Sequence, residues 1–158
     1  MSKFIVFATA AGLALFSGVA VAGTAISNNM ARCNAGDGPA VLVSVRGVKQ
    51  AAGSVRVQSY PATGNAWLAK SQWLHRIESR ASAGAMTFCV PIPAAGNYGI
   101  AVRHDVNGNG KTDISKDGGG FSNNPSISIF NLGKPSVGKV SFYAGTGVTK
   151  ITINLKYM

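Results

Sequence analysis

The chain has 158 residues, with 15 Lys and Arg against 5 Asp and Glu, a formal net charge of +10 and two cysteines. That length carries one compact core and is short for two ordinary domains, and so few carboxylates leave little for a glycosidase-type acid pair. The bases are scattered, from Arg32, Arg46, Lys49 and Arg56 to Lys70, Arg76, Arg80, Arg103 and onward, with no polybasic block, arginine-rich helix or aromatic RNA-binding signature. The excess charge favours anionic surfaces such as lipid headgroups and envelope polymers, and no nucleic-acid partner is expected.

Lys3 opens a short basic start, Phe4 to Ala22 is apolar or small throughout, and Ala20-Val21-Ala22 offers a small-residue cleavage site before Gly23. Residues 1–22 are therefore expected to be a cleaved secretory signal peptide, and the mature protein is not expected to be transmembrane. An uncleaved anchor is the alternative, because the apolar run is almost long enough to span a bilayer. Removing residues 1–22 from 158 leaves 136, and the loss of Lys3 lowers the formal charge from +10 to +9. Arg32 before Cys33 is wrong for a lipid-attachment box.

Residues 23–39 read as an irregular segment and 40–158 as one β-domain. Period-2 patterning dominates, with almost no helical periodicity. Ala40–Val48 places Val41, Val43 and Val45 on one face, and Gly53–Tyr60 does the same with Val55 and Val57. Pro61-Ala62-Thr63-Gly64-Asn65 is a turn, and 61–72 has room for a short helical turn. Gln72–Ser79 aligns Trp73, His75 and Ile77; Ala85–Val90 aligns Met86, Phe88 and Val90 and is stopped by Pro91-Ile92-Pro93. Asn97–His104, Lys139–Ala144 and Val148–Tyr157 complete a set of seven strands. Short strands separated by Gly/Pro/Asn turns predict an all-β sandwich, with a closed barrel as the runner-up.

Cys33 and Cys89 fall in a chain expected to enter an oxidising space, so a disulfide is the default. It would pin the irregular segment to the strand near residue 89. A catalytic or metal-binding thiol pair is the alternative, although no C-x-x-C is present.

Phe88 to Val102, with Pro91, Pro93, Gly96, Tyr98, Ile100 and Val102, resembles the hairpin of transthyretin-like and carboxypeptidase-regulatory-like sandwiches. His104-Asp105-x-Asn107-x-Asn109-Gly110-Lys111-x-Asp113 follows, then Gly120-Phe121-Ser122-Asn123-Asn124 and a Thr-Lys-Ile-Thr-Ile-x-Leu-x-Tyr ending at 149–157. Over roughly residues 40–157 the whole is similar to a family of exported bacterial proteins of unassigned function. The resemblance implies an immunoglobulin-like or prealbumin-like sandwich outside the cytoplasm and no activity. The chain departs from the family's pattern at Ile114–Gly119, which is short and glycine-rich, and at Pro135–Val140, and both departures remove acids.

With Asp105 as position 1, Asn107, Asn109, the Lys111 carbonyl and Asp113 fall at positions 3, 5, 7 and 9 of an EF-hand-type calcium loop, with Gly110 at the turn. Position 12 is Lys116 where a bidentate Glu is wanted, and Asp117 stands one residue late. Such a ligand set predicts weak binding, on the order of 0.1–1 mM. The same residues also suit a plain Asn-Gly connection, since Asn and Gly accept φ > 0 and Asx side chains cap turns.

His75 and His104 are each either a general base or ligand, or a half-buried strand residue. Ser122 is not in a G-x-S-x-G elbow, and no nucleophile–base–acid set assembles, so no catalytic residue and no organic cofactor is expected. Trp67 and Trp73 suit sugar stacking or edge packing. The leading reading is a non-catalytic, periplasmic or secreted binding or structural module whose end loops contact an envelope component or protein partner. A calcium-stabilised accessory domain is the second reading, and a hydrolase using His104 the third; neighbouring strand positions point His104 and Asp105 to opposite faces, against the third.

Overall fold

Alternating valines build both layers. The computed structural model describes residues 23–127 and 133–158, so the expected leader at 1–22 lies outside the described residues. The described strands are β1 (Thr24–Ile26), β2 (Ala40–Val48), β3 (Ser54–Pro61), β4 (His75–Arg80), β5 (Gly84–Pro91), β6 (Gly96–Asp105), β7 (Gly118–Phe121), β8 (Phe142–Ala144), β9 (Val148–Asn154) and β10 (Lys156–Tyr157). The larger sheet runs β1-β4-β3-β6-β7-β10, with β8 also on β6; the smaller runs β5-β2-β9. β6 gives β3 one whole edge, while β8 and β7 share its other edge at Gly96–Tyr98 and Ala101–His104.

The two sheets close on a core of aliphatic side chains. Val41, Val43 and Val45 of β2, Phe88 and Val90 of β5 and Ile153 of β9 face Val55, Val57, Ile77, Ile100 and Val102 of the larger sheet. All are essentially removed from water, and each contributes about 1.5–3 kcal/mol by that removal. The all-β sandwich expected from the patterning is thus the observed architecture.

Four details depart from the seven expected strands. The 23–39 segment, expected to be irregular, contributes β1, which pairs parallel with β4. The Lys139–Ala144 segment begins as a helical turn, α1 (Val137–Val140), that buries Val140, and becomes a strand only at Phe142. The Val148–Tyr157 run is interrupted at Leu155, whose N–H donates to the Arg46 carbonyl, so that β9 serves the smaller sheet and β10 the larger. β7 is built on Gly118-Gly119-Gly120, residues with no strand propensity. Its inward positions admit nothing larger: a Cβ at Gly118 would lie 2.5 Å from the Tyr157 ring, and one at Gly120 2.7 Å from the Ile153 side chain.

Both outer edges of the smaller sheet are closed by an asparagine side chain rather than a strand. Asn28 donates to the Thr87 carbonyl and accepts from Cys89 N–H on β5. Asn124 donates to the Thr152 carbonyl and accepts from Asn154 N–H on β9. Cys33 is joined to Cys89, which fastens the 23–39 segment to β5. Each device occupies backbone groups that would otherwise template another strand.

Candidate functional site

The loop from Asp105 to Asp117 leaves the end of β6 and re-enters the sheet at β7, and it is built by its own carboxylates. Asp105, 1% exposed, accepts from Asn109 N–H at 3.2 Å, from Gly110 N–H at 2.8 Å and from the Arg103 guanidinium at 3.2 Å. Asp117 accepts from Val106 N–H at 3.0 Å and from Asp113 N–H at 2.9 Å, tying the two stems together. The Asp113 carboxylate takes the Asn107 and Asn109 amides at 2.7 and 2.8 Å, and these bonds lower its pKa below the usual carboxylate range. Asn107 and Asn109 in turn accept from backbone N–H groups two residues on, as Asx turns.

The structure therefore brings Asp105, Asn107, Asn109 and Asp113 together and adds Asp117. Both oxygens of Asp105 and of Asp117 accept from backbone N–H donors. Arg103 completes the loop from the sheet. Its guanidinium reaches the Thr112 hydroxyl at 3.0 Å and the Gly110 carbonyl at 3.1 Å as well as Asp105.

Beside the loop lies the outer face of the larger sheet, and here the scattered bases converge. Glu78, Arg56, Arg103, Gly119 and Lys156 are successive register partners across β4, β3, β6, β7 and β10. Arg56 pairs with Glu78 at 2.9 Å. Burial raises the Glu78 carboxyl, but hydrogen bonds from Arg56 and Ser54 outweigh it and hold the group below its ordinary value. Burial and the neighbouring Arg56 cation press the Arg76 guanidinium downward. The Nε atoms of Arg76 and Arg103 are buried with no hydrogen-bond partner among the described residues. A cleft of about 260 Å³ opens between this row, the 112–117 side of the loop, and Lys134 and Met158.

The other candidate side chains sit in the framework. His104 is fully buried and faces the core while Asp105 faces out, as strand alternation requires. Its Nε2 meets the Ala52 carbonyl at 2.8 Å, so it carries the proton, and Nδ1 accepts from the Tyr157 hydroxyl at 2.6 Å. Neither nitrogen is offered to a substrate. Ser122 is equally buried; its hydroxyl accepts from Ile100 N–H and donates to the Val140 carbonyl. Trp67 packs edge-on against Tyr60 and Phe121 and donates to the Pro135 carbonyl, and Trp73 lies beneath the Arg76 guanidinium at 4.4 Å. Gly-Phe-Ser-Asn-Asn is thus a structural joint: close packing at Gly120, an aromatic contact at Phe121, a latch at Ser122, and left-handed residues at Asn123 and Asn124.

Sequence reasoning located the loop and noted Asp117 one residue late, but not the part played by Arg103 or the cationic row. The signal for the row is the outward position on neighbouring strands, which needs the register to be read. Among the described residues no group of three or more His, Cys, Asp or Glu side chains forms a metal cluster, and no helix is long and apolar enough to cross a membrane.

Fold and site together define a small disulfide-bridged β-sandwich carrying a hydrogen-bonded acidic loop beside a basic sheet face. The chain belongs to the family DUF2141, an uncharacterized protein conserved in bacteria, which matches residues 43–152. No curated protein and no solved structure matches it.

Proposed function

We propose that the protein is a non-catalytic, exported binding module that contacts an anionic component of the bacterial envelope through the face bearing Arg56, Arg103 and Lys156. The observation that carries this reading is the register row, which gathers on one rigid face cations that are far apart in sequence. Rigid strands hold such charges at fixed spacing, and a fixed basic surface concentrates anionic partners. Export is supported by the Lys3 to Ala22 leader pattern and by the Cys33–Cys89 bridge, since disulfides persist in oxidising compartments such as the periplasm. The completely buried imidazole of His104 supports the non-catalytic part of the reading.

The test is retention of the mature protein on a bacterial envelope fraction at about 150 mM salt, where exposed charges are screened beyond about 8 Å. Arg56→Gln with Lys156→Gln lowers retention sharply while the melt stays cooperative. Retention unchanged in that variant rejects the reading.

The second reading, a calcium-ordered loop, is supported by the convergence of Asn107, Asn109 and Asp113 side chains at 2.7–2.8 Å. Millimolar calcium then raises the melting temperature by mass action, and Asp113→Ala removes the rise. An identical melt with calcium and with chelator rejects it.

A further inference from the structure

We propose that the cleft between the cationic row and the 112–117 loop is a specific site for a small amphiphilic monoanion, a carboxylate carrying a short apolar chain. This deepens the reading above and rests on it. Three observations select that ligand.

The first is charge. Arg56 and Arg103 are already paired, with Glu78 and Asp105. Lys134 and Lys156 line the same cleft without an ion-pair partner among the described residues, and Asp117, its oxygens taken by amides, is the acid opposite them. These two unpaired cations are the complement of an anionic head.

The second is apolar surface. Ile114 and Met158, 46% and 49% exposed, are two of the four exposed large hydrophobics among the described residues, and both lie on this cleft. Leu68 and Phe121 line it from the sheet side. Apolar walls around a few placed charges are the usual composition of a small-molecule site. The volume of about 260 Å³ lies just below the range of about 300–1,000 Å³ usual for drug-sized ligands, which suits a smaller molecule.

The third is Gly119. Its neighbours Gly118 and Gly120 are glycines because the core leaves no room for a side chain, whereas a Cβ at Gly119 would meet nothing within 4 Å. Its φ is not in the left-handed region, so no turn requires glycine either. A glycine in a strand interior weakens the strand. What this one does is leave the floor of the cleft open between Arg103 and Lys156.

Calorimetric titration and amide chemical-shift mapping of the mature protein with octanoate, acetate and octanol test the assignment. Octanoate binds saturably, one per chain, and shifts the Ile114, Gly119 and Phe121 amides; acetate and octanol each bind at least about tenfold more weakly. Gly119→Val keeps or raises the melting temperature and weakens octanoate by at least about tenfold, and the exposed Lys156→Met weakens it without a loss of fold. Octanol binding as well as octanoate, octanoate affinity unchanged in both variants, or a dimer whose second copy covers the cleft overturns the assignment. Failure of octanoate with envelope retention still dependent on Arg56 and Lys156 overturns only the cleft ligand. Retention indifferent to those residues overturns the function proposed above.

Discussion

Replacing Asp105 with Ala removes the acceptor that three donors share. The Asn109 and Gly110 amides at 3.2 and 2.8 Å lose their partner, and the Arg103 guanidinium at 3.2 Å loses the carboxylate it pairs with. Asp105 is 1% exposed, so water does not fill in without opening the loop, and removing one member of a buried pair costs about 3–5 kcal/mol. Arg103 keeps its bonds to Thr112 and the Gly110 carbonyl, which places the expected loss near the lower end, at about 3 kcal/mol. For a domain of this size that corresponds to a fall in melting temperature of about 10 °C. Circular-dichroism melts measure it, and amide hydrogen exchange locates it. Asn109 and Gly110 exchange faster, while Val106 and Asp113, held by Asp117, stay protected relative to the global unfolding limit. A melt lowered by less than about 3 °C, with Asn109 and Gly110 as protected as before, refutes the account of a loop built by its own carboxylate.

Other perturbations have equally definite outcomes. Cys33→Ser with Cys89→Ser opens a bridge spanning 56 residues and lowers stability in urea unfolding by about 4 kcal/mol on the chain-entropy model; a change below about 1 kcal/mol means that contacts other than the bridge fasten the 23–39 segment. Burial holds the His75 imidazole below its ordinary value of 6.5, with the Arg32 cation adding to the effect and the Pro91 carbonyl opposing it. The unfolded chain therefore takes up that proton more readily than the folded one. Its contribution is fully present above pH 6.5 and is lost as the pH falls toward the folded pKa. Melts between pH 7.5 and pH 5.5 accordingly drop more for the parent than for His75→Gln, and equal drops remove His75 as the cause.

Much of the fold was legible because its core strands alternate strictly: Val41, Val43 and Val45, then Val55 and Val57, then Ile100 and Val102 all point inward as the pattern requires. What was not legible depends on partners distant in sequence. Nothing local marks Gly118–Phe121 as a strand; its glycines are explained only by the Tyr157 and Ile153 side chains that press on them. The break at Leu155 is likewise set by the Arg46 carbonyl and not by any change in alternation. At the site, the Asx spacing of residues 105–113 announced a tight loop, since those side chains bond within the loop itself. Arg56, Arg103 and Lys156 read as scattered because only strand register makes them neighbours.

The wiring of the smaller sheet also decides when the molecule can finish folding. β2 is its middle strand, and its parallel partner β9 arrives only after every strand from β3 to β8 has been laid down. Until then Val41, Val43 and Val45 lack Ile153 beside them on the inner face of the same sheet, and one whole edge of β2 has no backbone partner. Closing that pair spans roughly a hundred residues of chain, a long-range step of the kind that slows β-proteins. Under the export proposed above the delay is useful: a polypeptide whose first long strand must wait for its second-last strand would stay unfolded long enough to be threaded across a membrane, and Cys33 and Cys89 would be oxidised after it.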